Sequence, residues 1–129
     1  MGMATYMETI MLNSTLKGAA FTTIPTVYVA LYTSDPTAAD TGVEVAGNAY
    51  ARQALTNGFS VPASGVSSNS SIISFPVATG AWGTVGWFGI RTALTAGSLI
   101  YSGPLTTPQA VVLNTQLQFL IGQLSVTLA

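Results

Sequence analysis

The sequence predicts an all-β fold: a two-sheet, jelly-roll-like β-sandwich with one short N-terminal helix. Three observations lead there. From Thr26 onward, apolar and other residues alternate with period two, in about eight or nine short runs closed by Gly, Pro, Asn or Asp. A single stretch, residues 4–17, places apolar residues at helical spacing instead. No internal repeat of fixed period runs through the chain, which sets aside a propeller or a solenoid. With 129 residues, the chain suits one domain able to bury its own core. The expected division is a helical segment at residues 1–24 and a sandwich domain at residues 25–129.

Taken in order, the elements have local reasons. Thr5 and Glu8 stand at capping-box spacing, and Met7, Ile10 and Met11 begin an apolar stripe. Lys17 lies where the helix dipole favours a cation, and Gly18 can adopt the left-handed closing conformation. Residues 26–32 alternate cleanly behind Pro25 and make the first strand. Residues 33–48 form a long connection rich in Asp, Pro, Thr and Gly, a length that usually serves function or interaction. Residues 50–56 read as a strand. Asn57-Gly58 is the strongest hairpin signal, with a return strand over residues 59–61 stopped by Pro62. The polar residues 64–71 read as a loop. Short strands are expected at residues 72–77, 97–103 and 109–113. Residues 117–121 and 124–128 are expected to close the chain as a hairpin across Gly122-Gln123.

Residues 82–91 hold both tryptophans and the basic residue Arg91. Both faces of this strand carry large apolar groups, so it reads as a central strand. Strict alternation sends Phe88 and Ile90 into the core and Val85 and Trp87 to the other face. A tryptophan on an outer sheet face is a mark of an assembly interface.

Composition excludes several function classes. Without His or Cys there is no Ser-His-Asp or Cys-His site, no disulfide and no ordinary zinc site. No Walker-type loop is present. Gly83, Gly86 and Gly89 lie inside a strand with no helix after it, so they are not a dinucleotide fingerprint. No catalytic residue and no cofactor is expected. Three basic residues cannot neutralise several phosphates, and a pI near 4.8 opposes nucleic-acid binding. No apolar run approaches the roughly 20 residues that span a bilayer, and the start lacks the basic and apolar regions of a signal peptide. No membrane partner is therefore expected.

Charge is scarce: 5% of residues, net −1, with 49% hydrophobic. An ordinary soluble domain has roughly 25% charged residues. So bare a surface is best explained by coverage in an assembly, and a homo-oligomer, dimer or trimer, is expected. Two strand arginines stand out against this background. Arg52 is expected to pair with Glu44 or Asp35 and pin the long loop to the sheet. Asp35, Asp40 and Glu44 share that loop and make a weak Ca²⁺ candidate, though their spacing fits no EF-hand.

Several segments together resemble a known family. They are Val-Ala-Leu-Tyr-Thr-Ser-Asp-Pro at residues 29–36, then Glu44, and Tyr-Ala-Arg-Gln-Ala at 50–54. Ile-Ser-Phe-Pro at 73–76, Trp-Gly-Thr-Val at 82–85, Phe-Gly-Ile at 88–90, Gly-Ser-Leu-Ile-Tyr at 97–101 and Ser-Val-Thr-Leu at 125–128 follow. In this order the set resembles small structural proteins of tailed bacteriophages, often labelled tail fibre proteins. The resemblance implies a virion component. Compactness and low charge then favour a capsid cement protein that bridges subunits of the major capsid protein. The alternative is a tail or tail-fibre component whose partners are other tail proteins or a host surface glycan. For the assembly contact, Tyr6, Met7, Ile10 and Met11 of the N-terminal segment are the candidates to dock outward, the alternative of equal weight being that this stripe packs on its own sandwich, with Trp87 as a second candidate.

Overall fold

The computed structural model describes residues 2–21 and 23–128. Met1, Thr22 and Ala129, which fall within the expected segments, lie outside the described residues. Along the chain come β1 (Gly2–Met3), α1 (Thr5–Leu16), β2 (Thr26–Tyr32), β3 (Gln53–Thr56) and β4 (Val66–Ser68). β5 (Ile73–Ser74), β6 (Gly83–Arg91), β7 (Leu99–Val111), β8 (Gln118–Phe119) and β9 (Ser125–Thr127) follow. The fold is an all-β sandwich with one short helix. One layer is a five-stranded antiparallel sheet, ordered β1-β7-β6-β2-β3. The facing layer is not one continuous sheet. It consists of two ribbons, β4–β9 and β5–β8. Among the described residues no helix is long and apolar enough to cross a membrane.

The core lies between these layers. Val29, Leu31, Val85, Phe88 and Ile90 of the large sheet meet Ile73, Phe75, Phe119 and Leu124 of the facing layer. Tyr50 stacks on Phe75 at 6.2 Å between ring centroids and meets Trp82 edge-on at 5.4 Å. The Trp82 indole N–H donates to the Asn48 carbonyl at 2.9 Å, so this large ring is buried with its polar atom satisfied.

β6 is central as expected, but Val85 does not follow strict alternation. It lies in the core with Phe88 and Ile90, not beside Trp87. The reason is an irregularity. Val85 faces Gln109 and Trp87 faces Pro104, so Gly86 alone stands opposite residues 105–108 of β7. Such a bulge resets which face the following residues take.

Glycine has a second role in the same strand. A Cβ on Gly89 would lie 2.6 Å from Cε1 of Tyr32 and 2.9 Å from Cδ1 of Leu99. Tyr32 is buried and its hydroxyl accepts from Arg91, so its ring has nowhere to swing. Gly89→Ala is expected to cost about 1–3 kcal/mol by overpacking. Gly86→Ala, whose Cβ would meet nothing within 4 Å, should be nearly neutral. Urea denaturation of the two variants checks the contrast.

Three turns run differently from expectation. Asn57-Gly58 does not turn β3 into a hairpin: β3 pairs with β2, and the chain crosses to the other layer, where residues 58–70 fold back on themselves through isolated bridges Phe59–Asn69 and Ala63–Val66 and the Ser60 amide donating to Ser68. The polar stretch expected as a loop contains β4, which pairs with β9. The C-terminal strands do not pair with each other, because β8 is taken by β5 and β9 by β4. In each case the buried faces of Leu55, Ile73, Phe119 and Leu124 select the partner, and tertiary burial overrides the local turn signal.

The N-terminal segment is tied into the sandwich. β1 pairs with β7 at Ser102 and Tyr101. The Ala4 amide donates to Ile100 at 2.8 Å, and the Thr5 amide to Ala38 at 2.9 Å. The N-cap is Ala4, with no side-chain cap, so Thr5 and Glu8 form no capping box. Gly18 has φ +69, the left-handed conformation expected where the helix ends.

Candidate functional site

The most built feature of the surface is a double clamp of arginines on the long loop. Arg52, just before β3, grips Glu44 in a two-pronged contact: Nη2 to Oε1 at 2.7 Å and Nε to Oε2 at 2.8 Å. Arg91, the last residue of β6, holds Asp40 the same way at 2.8 Å on both oxygens. The planar guanidinium matches a carboxylate with two parallel bonds, a geometry a lysine cannot supply.

Both arginines also reach the turn after β6. Arg52 Nη1 donates to the carbonyls of Ala93 and Ala96, each at 2.8 Å. Arg91 Nε donates to the same Ala96 carbonyl at 3.3 Å, and Nη2 to Gly97 at 3.1 Å. Ala96 has φ +53, an unfavourable conformation for a residue with a Cβ, and its carbonyl is fixed from two sides. The tyrosines complete the network. Tyr50 donates to Glu44 Oε2 at 2.6 Å and accepts the Leu31 amide at 3.0 Å, while Tyr32 accepts from Arg91 at 2.8 Å. Four of the seven charged residues of the chain are thus used to fasten the loop and the turn to the sheet.

Burial alone would raise the Glu44 carboxyl. The hydrogen bonds from Arg52 and Tyr50, with the positive charge of Arg52, outweigh it and hold Glu44 below its ordinary 4.5. Burial, and then donation to Glu44, pushes the Tyr50 hydroxyl well up, so it stays a donor through the neutral range. The sign for stability follows. A depressed folded pKa contributes stability above the unfolded value and loses it as pH falls through the folded one. Glu44→Gln should therefore lower stability at neutral pH. The difference from the parent should hold down to about pH 5 and shrink below about pH 4. Guanidinium denaturation across that range measures it.

Of the expected pair, Glu44 meets Arg52 and Asp35 does not. Asp35 instead accepts the Thr37 amide at 2.9 Å, closing its own turn. The Ca²⁺ candidate is not assembled either. Among the described residues, no three His, Cys, Asp or Glu side chains stand together as a metal site. Asp40 and Glu44 each face an arginine. The Arg91–Asp40 contact is the feature the sequence reading missed. Its signal was present in the two strand arginines and the three carboxylates of one loop.

The interface candidates separate. Met7 is 3% exposed and packs in the core, which corrects its placement as an outward contact. Met7 and Met11, at i and i+4, share the inward stripe of α1, and the N-cap Ala4 is buried just ahead of them. Tyr6 is 44% exposed and borders, with the half-buried Ile10, a hollow beside Tyr28 and Phe21. Trp87 is half-buried on the sheet face opposite the core, across from Tyr32 of β2. A cleft of about 870 Å³ lies elsewhere. It runs between residues 104–111 of β7 and residues 115–125, with Phe88 contributing to its wall, and no charged side chain lines it.

The family model for podophage GP4 fiber I protein gp80 matches residues 2–127. No curated protein matches the chain.

Proposed function

The chain belongs to the family of podophage GP4 fiber I protein gp80, a bacteriophage virion structural protein, and we propose that it is a subunit of the phage's tail fibres. The observation that carries this reading is the family match over residues 2–127, which names a fibre component. The cement reading rests on compactness and scarce charge. A subunit buried among other tail proteins shares both properties, so neither favours the capsid once the family is known.

In this role the protein works by contact and not by chemistry. The double clamp supports it, because it uses most of the chain's charge to hold one loop and one turn rigid. Val43 in that loop and Leu94 in that turn stand exposed. Pre-fixed loops lose little entropy on binding, which favours a permanent joint with a neighbouring tail protein. A glycan on the host surface is the other occupant such a component could meet, with Tyr6 and Tyr28 as its stacking residues.

Mixing purified protein with isolated heads and with isolated tails, both lacking this chain, tests the placement. Saturable binding to tails, with none to heads, is the expected result. Binding to heads in lattice proportion, with gained heat resistance, would return the assignment to capsid cement.

A further inference from the structure

Charge is distributed very unevenly along this chain. Residues 53–129 contain one charged residue, Arg91, and it is buried in the clamp. The surface built from that stretch therefore presents no exposed charge among the described residues. It does present large apolar side chains. Ile72, Val77, Val112, Leu113, Leu120 and Ile121 are all exposed, Ile121 at 65%.

These residues gather into two groups near the 870 Å³ cleft. The Asn69 side-chain amide donates to the carbonyls of Ser71 and Leu120, which sets Ile72 near the Leu120–Ile121 turn. The Asn114 amide donates to the Ala78 carbonyl, which sets Val77 near Val112 and Leu113. Leu120 itself lines the cleft, and Val112 directly follows its Val111 wall.

Strand edges are open on the same side of the molecule. β1 covers the outer edge of β7 only at Tyr101 and Ser102, so the part of β7 that lines the cleft has no strand on that edge among the described residues. β8 has a single partner strand. Exposed edges are normally guarded by charge, and here there is none.

The identity of the occupant follows from electrostatics. An ordinary protein surface carries charged residues at roughly one position in four. Pressing unpaired ions against an uncharged, desolvating face strips them of water with nothing to compensate. The occupant must therefore be uncharged over its whole contact area, and the surface known to meet that condition is this face on another copy. We propose that the cleft between β7 and residues 115–125, with the uncharged apolar face around it, is where a second copy of this chain docks. Glu8, Lys17 and Asp35, which are exposed and absent from the lining of this cleft, remain in water.

The contact forms in solution without any virion, so its failure leaves the fibre placement standing, and failure of that placement leaves the contact testable. Size-exclusion chromatography with light scattering should give the parent protein a mass that is a multiple of 13.2 kDa. Ile121→Asp should reduce it to a single-chain mass with an unchanged β circular-dichroism spectrum. Leu16→Asp, on α1 at 77% exposure, should not change the mass. The chain has no cysteine, so single thiols report the same contact independently of that variant's folding. Leu120→Cys should be labelled by a maleimide more slowly at high protein concentration, and Leu16→Cys at a rate independent of concentration. A single-chain mass for the parent at all concentrations would overturn the proposal. So would dissociation by Leu16→Asp but not Ile121→Asp, or protection of Leu120→Cys only when isolated tails are added, which would assign the face to another tail protein.

Discussion

Phe75→Ala is expected to destabilise the protein by about 3–5 kcal/mol, the range for a fully buried phenylalanine. Phe75 is 0% exposed at the junction of the two layers. Its ring stacks on Tyr50, almost parallel at 9°, and meets Phe119 edge-on at 6.3 Å. Its own backbone is locked, with the amide donating to Leu117 and the carbonyl accepting from Gln116. The chain cannot collapse into the vacated space, so the lost contacts are not recovered. Tyr50 would lose the surface that aligns its hydroxyl on Glu44, and the clamp would loosen with the core. Phe75→Leu, which keeps most of the volume, should cost less than about half as much. Thermal melts separate the two, with the alanine variant melting about 10–15 °C lower.

Arg91→Met is the second large effect, at about 3 kcal/mol. The methionine fills the space of the arginine stem but makes none of its bonds. Five contacts disappear, two to Asp40 and one each to Tyr32, Ala96 and Gly97. Asp40 can recover water, because its side chain is 36% exposed. Tyr32 and the turn carbonyls recover less, and that is where most of the cost lies. Asp40→Asn should therefore be distinctly milder, at about 1 kcal/mol. Equal losses from the two substitutions, read by urea denaturation, would show that the ion pair alone and not the turn network matters.

The sequence showed the fold class because strand periodicity survives wherever one face is buried. β2 is legible over its whole length, since Val27, Val29 and Leu31 point to the core, as is the core placement of Phe88 and Ile90. What it could not show was phase and pairing. Gly86 carries no side chain to betray a bulge, yet that bulge sends Val85 inward. β8 and β9 each have a strong alternating pattern, but which strand each joins depends on burial contributed by residues far away in sequence: Phe119 pairs with Ile73, and Thr127 with Val66. The apolar stripe of α1 was visible, and its direction was not. The side chains that look outward, Leu12 and Leu16, are as apolar as those that look inward, so composition alone cannot tell the two faces of this helix apart.

Half of the clamp was legible for a different reason. In a chain with three basic residues, a strand arginine needs a partner, and the nearest loop carboxylate supplied one for Arg52. Arg91 and Asp40 are 51 residues apart, and only the packing of residues 33–48 against the turn after β6 brings them together. The turn residues carry no signal at all, because they take part through backbone carbonyls.

Electron cryomicroscopy of the intact virion tests the fibre assignment most directly. Density for this 13.2 kDa sandwich, recognisable from its five-stranded sheet backed by two short ribbons, should lie in the fibres at the tail. The same density seated on the head lattice between major capsid subunits, and absent from the tail, would contradict the assignment.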